Sequence, residues 1–343
     1  MLNALAFPLL GALVVFLLAV PAATVLAKAV LVLRRRSTRH LPRFGSTATW
    51  LVIIAPVIAP VLWFISAAVH QSEPGGAIAA CLFDHFDAFD CRDELVFALC
   101  LTLLLLVAGG RRLRHELAAP GAAGGPVGPS SAQARRVREA CAARSALGAL
   151  RVEVVTGALH PICTTGLVRP RVVVAVELVD SLDDEALVAA LLHENAHAHA
   201  LDPLRYFLAA VCLSLNPLAP LLRPELRRWR LAREASCDAE AVHAGGEPLS
   251  LAQAIVTAAR PGRRPGAWTA ALGDGDAEAI RLRIGLLIGY ADERAVHGKR
   301  EAPFVALTGT LTFVAMLPHA VGSGPLDILH LEIERALVLL GLI

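Results

Sequence analysis

Four apolar runs punctuate the chain. The first, "LNALAFPLLGALVVFLLAVPAATVLAKAVLVLRRR", stays apolar for about 30 residues, longer than the roughly 20 a helix needs to cross a hydrocarbon core. It has neither the basic start nor the short cleavable end of a signal peptide, so it predicts a retained span. Ala48 to Val69 is long enough for a second span. Leu95 to Gly109 is shorter but uncharged, and "APFVALTGTLTFVAMLPHAV", Ala302 to Val321, forms the last. The competing reading of each run is a buried core helix.

Between the third and fourth runs the pattern changes. Residues 119–133, "APGAAGGPVGPSSAQ", have no apolar period and read as a flexible linker within 111–135. Residues 136–300 then suffice for one core. "LRVEVVTG" and "RPRVVVAVEL", Val-rich with turn residues at their edges, predict two short strands. "SLDDEALVAALLHENAHAHA" predicts a helix with Ser181 as N-cap and Asp184 three residues on. "LRYFLAAVCLSLNPLAPLL", Leu204 to Leu222, is apolar, yet Asn216 and Pro217 interrupt it. Arg205 flanks one end and Arg223, Arg227, Arg228 and Arg230 the other, so a single crossing would strand one basic flank on the wrong side. A helix and turn, buried in the domain or dipping into the cytoplasmic leaflet, is expected.

Composition supports the membrane reading, since 56% of the 343 residues are hydrophobic, above the roughly half of a soluble domain. A net charge of +2 says little; its placement says more. Arg34, Arg35, Arg36, Arg39 and Arg43 lie between the first two runs, Arg111, Arg112 and Arg114 follow the third, and Lys299 and Arg300 precede the fourth. The positive-inside rule then predicts a multi-pass cell-membrane protein with its N-terminus outside, 111–300 in the cytoplasm, and the loop 70–94 and tail 322–343 outside or at the interface. That loop carries Glu73, Asp84, Asp87, Asp90, Asp93 and Glu94, and it holds Cys81 and Cys91 where a disulfide could persist. The other cysteines stand singly and read as reduced thiols. Direct nucleic-acid binding is not expected, because the basic runs are juxtamembrane and lack interleaved aromatics.

The chemistry lies in His193-Glu194-Asn195-Ala196-His197, an HExxH pattern. Residues four apart on a helix lie about 40° around the axis and roughly 6 Å apart, so both imidazoles can reach one zinc, with Glu194 beside its water. The bland alternative is a polar helix face with three histidines. His199 falls on the far side. Catalytic zinc commonly takes a third protein ligand. "LRRWRLAREASCDAEAV" is helical in period and sets Glu234 and Asp238 four apart on one face. In such a pair Glu234 would bind the metal and Asp238 would orient a ligand histidine from behind; standing alone, both read as solvated helix charges. Tyr206 is a weak candidate for an oxyanion donor, while His243 reads as structural and Cys237 as a small buried thiol.

HExxH, an apolar segment with an Asn-Pro pair, and Glu-x-x-x-Asp together resemble the BlaR/MecR family of integral-membrane zinc metallopeptidases. "HPICTTGLVRPRVVV" is similar to its Gly-x-x-x-Pro strand, "AIRLRIGLL" to its Arg-Ile element, and Asp202 stands where it often has an acidic residue. The resemblance implies a mainly α membrane protein with about four transmembrane helices and a cytoplasmic α+β, gluzincin-like domain inserted between the third (within 1–110) and the fourth (301–321). It implies one Zn2+ per chain held by His193, His197 and Glu234, with Glu194 as general base and Asp238 behind a ligand. The implied substrate is a cytoplasmic or membrane-proximal protein, either a transcriptional repressor or the chain's own linker; independently of the resemblance, a strand such as Arg171 to Val174 could hold an extended peptide by pairing at its edge. Besides protein substrate the implied partner is the lipid bilayer, and a homodimer is left open. The tail "GSGPLDILHLEIERALVLLGLI" holds no Ser-x-x-Lys, so direct β-lactam sensing is not expected. Two other readings compete: a non-catalytic transducer or scaffold with structural zinc, against which Glu194 speaks, and a CAAX-type peptidase with its site among the spans.

Overall fold

The structure, a computed structural model, describes residues 20–37, 41–70, 107, 111, 125–128, 130–158, 160–259, 270–271 and 277–292. Two helices represent the apolar N-terminal part: α1 (Val20–Ser37) and α3 (Thr47–His70), with the short α2 (Leu41–Phe44) leading into α3. Of the described helices, only the stretch Leu41–Pro60 is long and apolar enough to cross a membrane, and half of its apolar window is buried. Val20 of α1 packs with Ile54 and Val57 of α3. Val25, Leu26 and Leu33 stay largely exposed, an outward apolar face of the kind lipid would cover. The expected third and fourth spans, the acidic loop with Cys81 and Cys91, and the tail lie outside the described residues.

The domain begins earlier than its sequence suggests. Within the Gly/Pro/Ser-rich stretch, Pro126 bridges Val155 and the Val127 N–H donates to the Val154 carbonyl at 2.9 Å. Ser131 then caps α4 (Ala132–Ala142) by accepting from the Ala134 N–H. A sheet of order β1-β3-β2-β4 follows, built from β1 (Val152–Val155), β2 (Ile162–Thr165), β3 (Arg171–Ala175) and β4 (Ala270–Ala271). β1 runs parallel to β3, and β2 is antiparallel to both β3 and β4. Two of these strands were expected. β3 stops at Ala175 because α5 (Val176–Ser181) starts directly after it. One expectation falls here: Arg171 to Val174 cannot receive a peptide, since β3 is paired on both sides, to β1 and to β2. A strand with both ladders filled has no backbone donor or acceptor left to offer.

Helix α6 (Asp184–His199) carries the motif. Its N-cap is Asp183, not Ser181: the Asp183 carboxylate accepts from the Ala186 N–H at 2.8 Å, while Ser181 closes α5 by donating to the Leu178 carbonyl. An acceptor one residue before the first helical turn reaches the orphan N–H groups; one three residues before does not. Leu187, Ala190 and Leu191 of α6 are wholly buried in one core with Ile162, Val172 and Val174 of the sheet and Leu251 and Ile255 of α9 (Pro248–Ala258).

The ambiguous apolar segment is a helix and turn, as expected. Helix α7 (Asp202–Leu215) ends at Asn216, and α8 (Ala219–His243) returns toward the motif. Asn216 builds the turn twice over: its Oδ1 accepts from the Leu218 N–H at 2.8 Å and its Nδ2 donates to Thr24 Oγ1 of α1 at 2.9 Å. Tyr206, Leu213, Leu222 and Trp229 form a second core with Leu31, Phe44 and Ile53. Helix α10 (Ala277–Asp292) completes the described chain and packs on α8 and α9.

Candidate metal centre

The HExxH residues lie where α6 passes under β2 and beside α8. His193, Glu194 and His197 are fully buried. Three side chains face one another: His193 Nε2 lies 3.1 Å from His197 Nε2, and the two oxygens of Glu234 stand 3.5 Å and 3.4 Å from these nitrogens, one each. Ligands about 2.0–2.1 Å from a tetrahedral zinc lie about 3.3 Å from each other, so this triangle has the size such an ion requires. Glu194 completes the arrangement. Its Oε2 accepts from Thr164 Oγ1 at 2.6 Å, whereas its Oε1 is buried with no hydrogen-bond partner among the described residues. A buried carboxylate oxygen left without a donor is uncommon and points to a group that is not protein. The residues fit a metal ion with a reactive water beside it.

Behind each histidine stands a carboxylate held by an arginine. His197 Nδ1 is 2.7 Å from Asp202 Oδ2, which also accepts from Arg233 Nε at 2.7 Å. His193 Nδ1 is 2.9 Å from Asp238 Oδ1, and Arg283 clamps that carboxylate with two bonds of 2.8 Å while its third nitrogen reaches Glu234 at 3.1 Å. A carboxylate can only accept, so each of these pairings favours a proton on Nδ1, which in the neutral imidazole leaves the Nε2 lone pair toward the other two groups. The turn from α6 into α7 makes the Asp202 contact: Leu201 adopts a left-handed conformation (φ 55°), which folds the chain back on the helix it has just left.

Electrostatics follow from this packing. Burial pushes the Glu194 carboxyl up, against the pull of the two histidines and Thr164. Burial would also raise Glu234, but His197 and Arg283 outweigh it and hold Glu234 well below the usual carboxylate range. Asp238 is lowered despite its burial, chiefly by Arg283. Burial pushes the Cys237 thiol up to about 11, so it is neutral beside His197 Nδ1, 3.4 Å away. Cys237, Asp202 and His197 also stand within metal-ligand distance of one another. There, however, His197 Nδ1 and Asp202 Oδ2 already face each other, and Arg233 occupies the same oxygen.

The five residues assigned to the site from sequence, His193, Glu194, His197, Glu234 and Asp238, converge. Thr164, Asp202, Arg233 and Arg283 complete it and had no assigned role, although Asp202 and the "AIRLRIGLL" segment had been marked. His199 is exposed, as its place on the helix predicts. His243 is exposed near the end of α8, bonded to the Ala239 carbonyl. Tyr206 is buried against Trp229, under the guanidinium of Arg230, and its hydroxyl has no hydrogen-bond partner among the described residues.

Residues 129–285 match the family model described as BlaR1 peptidase M56. The match runs from just before α4 into α10 and includes every residue of the centre described above. It bears out the resemblance to the BlaR/MecR type over this segment and marks it as a metallopeptidase domain. A comparison with curated proteins gave no match.

Proposed function

From the M56 peptidase match we propose that the chain is a membrane-embedded zinc endopeptidase that cleaves a cytoplasmic or membrane-proximal protein in transmembrane signalling. One observation carries the reading: two imidazole nitrogens and a carboxylate face one another at 3.1–3.5 Å, and beside them Glu194 has an oxygen with no protein partner. His193, His197 and Glu234 would hold the ion, which when bound supplies Lewis-acid polarisation of the scissile carbonyl and a water of lowered pKa.

The chain's own groups do the rest. Glu194 Oε1 takes the proton of the attacking water and returns it to the leaving amine, while Thr164 fixes Oε2 and so aims the other oxygen. Burial of Glu194 raises its proton affinity toward the working range, which suits a group that must both accept and donate. Asp238 and Asp202 keep both imidazoles in one tautomer and orientation. With β3 occupied, an extended substrate would add to the outer edge of β4 instead.

The favoured substrates are a repressor-like regulator or the chain's own linker. Cutting in cis would fall within 119–124, since 125–128 are already bonded to β1. The arginine distribution supports a four-span protein with a cytoplasmic domain, and Cys81 and Cys91 would lie outside, where they could form a disulfide. The free oxygen of Glu194 speaks against a purely structural zinc, because a scaffold site has no use for a base. The four-stranded sheet roofing the motif helix favours an inserted domain over a CAAX-type site among spans. Purified parent protein should contain one zinc; His193→Ala and Glu234→Ala should each lose it, and Glu194→Gln should keep it while losing peptidase activity. Zinc retained in Glu234→Ala would refute the third ligand, and undiminished cleavage by Glu194→Gln would refute the mechanism.

A further inference from the structure

The turn that leads into the apolar helix α3 is pressed against the backbone of α8 immediately before Glu234. A Cβ added to Gly45 would lie 2.6 Å from the carbonyl carbon and oxygen of Ala232 and 2.7 Å from the nitrogen of Arg233. Those atoms are backbone, so no side-chain rotation could make room. Hydrogen bonds fasten the contact on both sides. Trp229 Nε1 donates to the Ser46 carbonyl at 3.0 Å, and Ser236 Oγ donates to the Pro42 carbonyl at 2.8 Å. Phe44 is buried between them, in one cluster with Trp229 and Ala232. The stretch of α8 held in this way, 229–236, contains Glu234. The turn is in turn tied to α1, through Arg34 Nη2 to Ser46 Oγ at 2.8 Å.

The two histidines take their packing chiefly from another core, with Arg233 of α8 reaching Asp202 and the Ala196 carbonyl beside His197. Leu187, Leu191 and Leu192 of α6 belong to the core shared with the sheet and α9, not to the cluster around the turn. We propose that Gly45 is a positioning residue of the metal centre: by backbone contact, the turn Leu41–Ser46 sets where Glu234 stands relative to His193 and His197. A shift of the apolar helix would then move Glu234 directly and reach His197 through Arg233 and Asp202. This rests on the reading of Glu234 as a ligand.

The test uses the full chain in detergent, with zinc affinity measured by competition against a chromogenic chelator, and amide hydrogen exchange over 230–238 followed with chelator in excess. Gly45→Ala should weaken zinc by about tenfold, as loss of support behind a ligand typically does, and should speed exchange over 230–238 in the metal-free protein. Leu147→Ala, a cavity in the sheet-side core, should lower thermal stability and leave zinc affinity at the parent value. Parent affinity in Gly45→Ala, or an equal loss in Leu147→Ala, overturns the proposal. If Gly45→Ala does not fold, the double variant Trp229→Phe, Ser236→Ala decides by the same two readouts, since it removes both hydrogen bonds to the turn. Equal zinc affinity in the parent and Glu234→Ala would instead overturn the ligand reading, and the exchange readout would still report whether the turn places α8.

Discussion

Arg283 shows how much of the centre rests on single side chains. It is fully buried, and its charge is matched by Asp238 and Glu234 together. Replacing it with Met leaves two buried carboxylates without their cation, which should cost about 3–5 kcal/mol in urea unfolding and lower the zinc content of the purified protein. Thr164→Val keeps the shape at the strand but frees Glu194 Oε2. Peptidase activity should then fall by about 10–100-fold with zinc retained, as activity and metal assays on the same preparation would show. What the sequence revealed at this scale was whatever repeats on one helix. His193 and His197, and likewise Glu234 and Asp238, are four apart, so helical geometry alone brings each pair to one face. Thr164 and Arg283 reach the centre from other elements, over separations at which a sequence carries no period. They were beyond reading for that reason.

The elements were legible in proportion to their length. Helix α6, with sixteen residues, announced itself, and β1 and β3 did so by their valines, whereas β2, Ile-Cys-Thr-Thr with three of its four residues buried, and β4, with two residues, show no such pattern. That gap produced the wrong placement of β3 at an edge, because the strand covering it on that side is β2. The N-cap failed for a different reason: Ser181, Asp183 and Asp184 are all good caps, and only the backbone decides which sits at the boundary. Asp183→Ala should therefore cost about 1 kcal/mol of stability in thermal or urea unfolding, and Ser181→Ala much less. Leu191→Ala empties a wholly buried site between sheet and α9 and should cost about 2–5 kcal/mol by the same measurement.

For the molecule as a whole, the apolar helices share a core with α7 and α8 of the domain. Lys28 pairs with Glu225 at 2.6 Å, Trp50 Nε1 donates to the Arg205 carbonyl at 3.0 Å, and Asn216 reaches Thr24. Leu31, Phe44 and Ile53 bury the faces of Leu222 and Trp229. The domain cut free as 125–292 would expose these faces of α7 and α8 to water. It should aggregate, or lose its near-ultraviolet circular dichroism, where the full chain in detergent keeps a sharp unfolding transition. Apolar runs and arginine flanks carried the membrane reading in the sequence, and among the described residues one helix is long and apolar enough to cross a membrane. The same apolarity hid which helix faces pack on protein, since a lipid-facing surface would ask for the same residues.

The place of Arg283 in the chain carries one more consequence. The histidines and Glu234 are synthesised well before helix α10, and until α10 docks, Glu234 and Asp238 have no cation to bury against. A chain still emerging from the ribosome therefore holds His193, His197 and Glu234 before it holds the arginine that fixes Asp238 and Glu234 in place. On the proposed function, a chain whose α10 has not yet docked lacks the cation that holds Glu234 and Asp238, so peptidase activity should begin only once α10 has folded into place.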